Sequence, residues 1–155
     1  MPQFSAFGRY LSILDRLMRM YYDHGLSGFE IGWGQQFYVE YLYDHPGASA
    51  QEMAACIRVD KATLTKTIQK LTQVGYVRAA ADERDRRVKH LYLTDKAVPA
   101  AQRIKQIHAA FYDVLSAGLS PAEIAQAEGV LQRMTENLSA TVRHRMGGRE
   151  HEDQR

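Results

Sequence analysis

Cysteine is almost missing: Cys56 is the one thiol in 155 residues. An intrachain disulfide is therefore excluded, and so little cysteine fits a reducing compartment. No apolar run reaches membrane-spanning length, and the opening residues lack a signal-peptide pattern. The expected location is the cytoplasm. The six His are scattered and, with one Cys, give no metal-ligand spacing. There is no glycine-rich phosphate loop and no nucleophile elbow. Neither a cofactor nor an enzymatic activity is expected.

A strong overall charge is missing too, since the net formal charge is only +2. Its distribution is uneven. Residues 51–93 hold nine Lys/Arg against five Asp/Glu, a net of +4. Residues 1–50 hold three against five, and residues 94–155 hold eight against eight. Positive charge gathers in one segment, as contact with a polyanion requires. The length suits one domain with its own core.

Within that segment, Asp60 can cap a helix. Leu64, Ile68 and Leu71 follow on one face. Lys61, Thr65, Lys66, Gln69 and Lys70 fall largely on the others, and Gly75 is a helix stop. Two strand-like runs, 76–81 and 88–93, flank the turn Asp82-Glu83-Arg84-Asp85-Arg86-Arg87. A helix rimmed with Lys, Thr and Gln can present donors to a major groove. A hairpin with arginines at its tip can reach phosphates or a narrow minor groove. The same features also fit an ordinary amphipathic helix and a solvated turn.

Upstream, Phe4 to His24 reads as a helix with a wide apolar band, broken by Gly25 and Gly28. A second helix is expected over 32–43, stopped by His45-Pro46-Gly47. Ser49-Ala50-Gln51-Glu52 matches a capping box that opens a short helix through Ile57. Inside it, Cys56 is expected to be a small buried apolar group. Arg58-Val59 is the tight turn before Asp60. Downstream, Thr94 is expected to cap a fifth helix to about Ala117, with a bend or late start at Pro99. Gly118 ends it. Ser120-Pro121-Ala122-Glu123 opens a sixth helix, expected to reach Arg145.

The order helix, turn, helix, hairpin resembles a winged helix-turn-helix. The segment resembles the MarR family of bacterial transcription regulators. Carrying the resemblance are the reading-helix stretch 60–66, the continuation Leu71-x-x-x-Gly75-Tyr76-Val77, and above all the wing. Asp82 to Arg87 fits the family's D-x-R-D-x-R, and Leu91-Tyr92-Leu93-Thr94 fits its L-x-L-T. The resemblance implies a mainly α fold with a small β-hairpin wing: a winged helix-turn-helix plus a helical dimerisation region. Residues 1–146 would form one such domain, with residues 30–94 the DNA-binding region. Residues 1–29 and 95–146 would then be the dimerisation region, and 147–155 a flexible tail.

It implies a homodimer in which the first, fifth and sixth helices interlock. Two reading helices related by a dyad would read a near-palindromic operator, half-sites about one DNA turn apart. The implied function is a sequence-specific, double-stranded DNA-binding regulator, a repressor in the commoner case. Ser49, Gln51, Lys61, Thr63, Thr65, Lys66, Gln69, Arg84, Arg86 and Arg87 are the expected DNA contacts. Gln69 and Lys61 would read bases, and Thr65 and Lys66 would meet phosphates. Asp82 and Asp85 would pair with Arg84 or Arg87 and fix the hairpin. Arginines around these two carboxylates favour their charged form and argue against acid catalysis.

Relatives of this kind often release DNA on binding a small aromatic or phenolic ligand. His24, Trp33, Tyr38 and Tyr41 are the candidate pocket residues, although an ordinary aromatic core is the commoner role for such rings. The oxidation-sensing branch carries its cysteine in the first helix, and this chain has none there. The alternative function is a winged-helix module for nonspecific DNA or protein binding, without ligand response.

Overall fold

Ser49 does what its sequence neighbours allow. Its hydroxyl accepts the Glu52 N–H at 3.2 Å while the Glu52 carboxylate accepts the Ser49 N–H at 2.8 Å. Two free donors of a helix start are satisfied reciprocally. The computed structural model in which this is seen describes residues 4–147, with side chains over residues 6–142. The elements in order are α1 (Phe4–Gly25), α2 (Gln36–Asp44), β1 (Ala48–Ser49), α3 (Ala50–Ile57) and α4 (Lys61–Gln73). There follow β2 (Val77–Ala81), β3 (Lys89–Leu93), a 3-10 turn (Asp95–Ala97), α5 (Val98–Leu115) and α6 (Pro121–Gly147). The fold is mainly helical with a small antiparallel sheet, as expected.

That sheet has three strands in the order β1-β3-β2, one more than the hairpin read from the sequence. In it Ala48 pairs with Leu91, and Val77 through Ala81 pair with Leu93 through Lys89. Gly47 makes the added strand possible. Its φ is +85°, and a Cβ there would lie 3.0 Å from the Tyr92 hydroxyl. Only glycine tolerates both the dihedral and the close approach.

By its contacts the chain forms two compact units, the first ending at Phe111 and the second beginning at Tyr112. The first holds the core: Tyr22 and Leu26 from α1, Tyr38, Val39 and Leu42 from α2, Met53, Leu64 and Leu71 from α3 and α4. Ile31, Ala48, Tyr76, Val77 and Leu91 join it from the loops and the sheet, and Ala97, Ala100, Ala101, Ile104 and Ile107 from the segment after the wing. In the second unit no described residue of α6 is buried. Residues 6–21 of α1 contain no buried residue either. The expected tail, 147–155, lies outside the described residues except for Gly147, which ends α6 two residues beyond the expected Arg145.

Four local expectations are corrected. The second helix starts at Gln36, not Gly32, because Gly34 turns at φ +91° and the Gly32 and Trp33 N–H groups donate to Gln35 and Asp23 side chains. Thr94 makes no side-chain cap; its hydroxyl donates to the Gly75 carbonyl at 2.5 Å, and the 3-10 turn precedes α5. The fifth helix also stops at Leu115, two residues short of Ala117. Cys56 is exposed, not buried. The inward face of α3 is Met53 with Ala54 and Ile57, and Cys56 lies roughly a quarter turn away from it.

Candidate nucleic-acid interface

The reading helix α4 is fixed at both ends. Asp60 accepts the Thr63 N–H at 2.8 Å and its hydroxyl at 2.7 Å. These two bonds hold the Asp60 carboxyl below its usual range. Arg58, at φ +59°, makes the left-handed turn that ends α3 and aims α4. At the far end Lys96 donates to the Val74 carbonyl and to Glu30, both at 2.6 Å.

Leu64 and Leu71 are buried and Ile68 half-buried, so the apolar stripe faces inward. Lys61, Thr63, Thr65, Lys66 and Gln69 are all exposed. Their directions differ. Ala62, Lys66, Gln69 and Gln73 recur at four, three and four and lie opposite the stripe. Lys61 sits on a flank, so Lys66 is aimed outward more directly than Lys61. Gln73 was not among the expected contacts, although the same spacing points to it. The Thr65 hydroxyl donates to the Lys61 carbonyl at 2.8 Å, so it must rotate before it can donate to a phosphate.

In the wing, Arg84, Arg86 and Arg87 are exposed at the turn. Asp82 and Asp85 organise that turn through the backbone. Asp82 Oδ1 accepts the N–H groups of Arg84 at 2.8 Å and Asp85 at 2.9 Å, and Asp85 Oδ1 accepts that of Arg87 at 3.0 Å. No ion pair between either acid and an arginine side chain is found among the described residues, so the guanidinium groups are not held by these acids. The other oxygen of Asp82 meets His90 Nε2 at 3.0 Å. His90 and then the two turn N–H groups push the Asp82 carboxyl down to about 2. Arg78, unassigned from sequence, lies with its guanidinium 4.4 Å from the Tyr92 ring centroid. Ser49 is half-buried at the start of α3 and Gln51 beside it is exposed.

The expected ligand residues have different surroundings. Tyr38 is buried in the core, Tyr41 lies against His45 at 4.7 Å, and Trp33 packs on Tyr22 at 5.3 Å and Phe37 at 5.8 Å. His24 lines a cavity of about 190 Å³, with Tyr21, Gly25, Arg103, Gln106, Ile107 and Ala110. Nearby, His108 meets Glu40 at 2.8 Å. Burial, and then the Glu40 charge, push the Tyr22 hydroxyl up to about 12.

Residues 37–88, the stretch from α2 through the wing turn, match the MarR family. YybA of Bacillus subtilis (strain 168), an HTH-type transcriptional regulator itself uncharacterized, is 26% identical over 105 residues, 68% of this chain and 70% of its own. BilQ of Clostridium symbiosum (strain WAL-14163), an HTH-type transcriptional regulator, is 25% identical over 135 residues, covering 87% and 94%. A MarR protein from Peptoclostridium difficile has a similar structure, with a TM-score of 0.80, 25% identity and coverage of 91% and 93%. The S. aureus MepR–DNA complex gives a TM-score of 0.78 at 21% identity, covering 85% and 98%. The helix α4 and the basic wing thus lie in the stretch that matches the MarR family, and the chain is similar over most of its length to HTH-type transcriptional regulators.

Proposed function

We propose that this regulator binds a near-palindromic operator as a homodimer and represses transcription from it. The observation that carries the reading is the outward stripe of α4: Lys66, Gln69 and Gln73 are exposed opposite a buried apolar face, and a turn-locked wing adds three exposed arginines. Lys66 and Gln69 are donors suited to purine edges and phosphates, and Arg84, Arg86 and Arg87 suit a minor groove or its backbone. MepR, of similar fold, has been solved on DNA. Dimerisation is supported by the unburied apolar residues of α1, among them Phe7, Leu14 and Leu17, and of α6, among them Leu131, Leu138 and Val142. On this reading α1, α5 and α6 interlock between two copies.

Release would come from a small aromatic acid, for which the cavity offers the Arg103 guanidinium, the His24 ring and an apolar wall. Selection from a random duplex pool tests the core of the reading. Recovery of a near-palindrome is the expected result. A pool that stays random, or binding that vanishes at physiological salt, would replace it with a nonspecific or protein-binding winged helix.

A further inference from the structure

His90 stands between two groups that can only accept. Its Nδ1 lies 2.8 Å from the Gly47 carbonyl and its Nε2 lies 3.0 Å from Asp82 Oδ2. A neutral imidazole has one N–H and can serve only one of them. Both contacts are made together only by the imidazolium. The two partners belong to different parts of the DNA-reading surface. Asp82 shapes the wing turn through the N–H groups of Arg84 and Asp85. Gly47 leads into β1 and the first turn of α3.

Resting on the DNA-binding reading above, we propose that His90 is a positioning residue whose imidazolium clamps the wing to the start of α3, making operator affinity fall as the pH rises through its titration. The charged groups facing it are Asp82 from the wing turn and Glu52 from α3, both acidic. Its neighbours across the sheet, Ser49 on β1 and Ala80 on β2, carry no charge. The Asp82 bond first, and then the Gly47 carbonyl, raise the ring's proton affinity above its ordinary value. The clamp is thus complete below about pH 6.5 and is lost as the pH passes the raised value.

Fluorescence anisotropy with the selected duplex, at constant salt across neutral to alkaline pH, tests this on the full chain. Wild type should lose affinity by about two- to fivefold, the range of a partly exposed charged pair. His90→Gln should be weaker at neutral pH and flat across the range. His90→Arg keeps a cation and two donors, and should be flat with its alkaline affinity retained. Nitrogen NMR of the wild-type ring should show both ring nitrogens protonated near about pH 6, a readout that needs neither variant nor DNA. Superposable profiles for wild type and His90→Gln, or a neutral ring at that pH, would overturn the clamp. Absence of binding at every pH would instead overturn the DNA-binding reading on which it rests.

Discussion

Gln36 is the one buried polar side chain of the described core, and neither Nε2 nor Oε1 has a hydrogen-bond partner. A buried amide without partners costs about 1–3 kcal/mol. Gln36→Met keeps the length and removes the polar atoms, so it should raise the unfolding free energy by about 1 kcal/mol in urea titration. A fall would show that the amide is engaged in solution. Gly47 predicts the opposite sign. Gly47→Ala places a Cβ against Tyr92 at a positive φ, and should cost about 1–2 kcal/mol from the dihedral alone. A melt of the two variants beside wild type checks both.

Three capped helix starts were legible, while the start of α2 and both ends of α5 were not. Ser49–Glu52, Asp60–Thr63 and Ser120–Glu123 are each complete within four residues, so the sequence carries the whole motif. Ser49→Ala should cost about 1 kcal/mol. Strand β1 could not be read this way. It is two residues long, and its partner Leu91 lies far along the chain. The acids of the wing were recognised, yet their partners were misjudged. In a tight turn an Asp oxygen meets N–H groups two and three residues on before it meets a flexible guanidinium. The reading helix was legible from Leu64, Ile68 and Leu71, but Gln73, one turn further, was passed over.

The wing also makes a pH prediction. Asp82 is pushed down to about 2, so its contribution is present above its ordinary range near 3.8 and is lost as the pH falls through about 2. Asp82→Asn should flatten the acid limb of the stability curve between those values, which acid titration by circular dichroism measures. Lys66→Ala and Arg86→Ala should each weaken DNA binding across sequences and reduce the salt slope by about one unit. An unchanged slope in both would remove these two contacts.

At the scale of the molecule, α6 is 27 residues long with no buried residue among those described, and α1 buries little before Tyr22. Helical propensity alone gives such segments little stability in water; packing of an apolar face supplies most of it. A second copy is the expected cover. Sedimentation velocity should show a dimer. Leu14→Asp with Leu17→Asp should give a folded or partly folded monomer with much weaker operator binding. A dimer that survives both changes would move the interface away from α1. The dimer was suggested by resemblance and by apolar periodicity, since one chain's sequence does not say which of its stripes meet another chain.

Because β1 pairs with β3 at Ala48 and Leu91, and Gly47 donates to the Leu91 carbonyl at 2.8 Å, the wing has no pivot of its own. Push its arginines aside and the load passes along β3, through β1, into the first turn of α3. On the reading proposed above the molecule would work as a calliper: the jaw in one groove could not open without turning the frame that carries the other. A duplex whose minor groove is too wide for the wing would then be gauged at the major groove as well, and groove width would become part of what the protein measures.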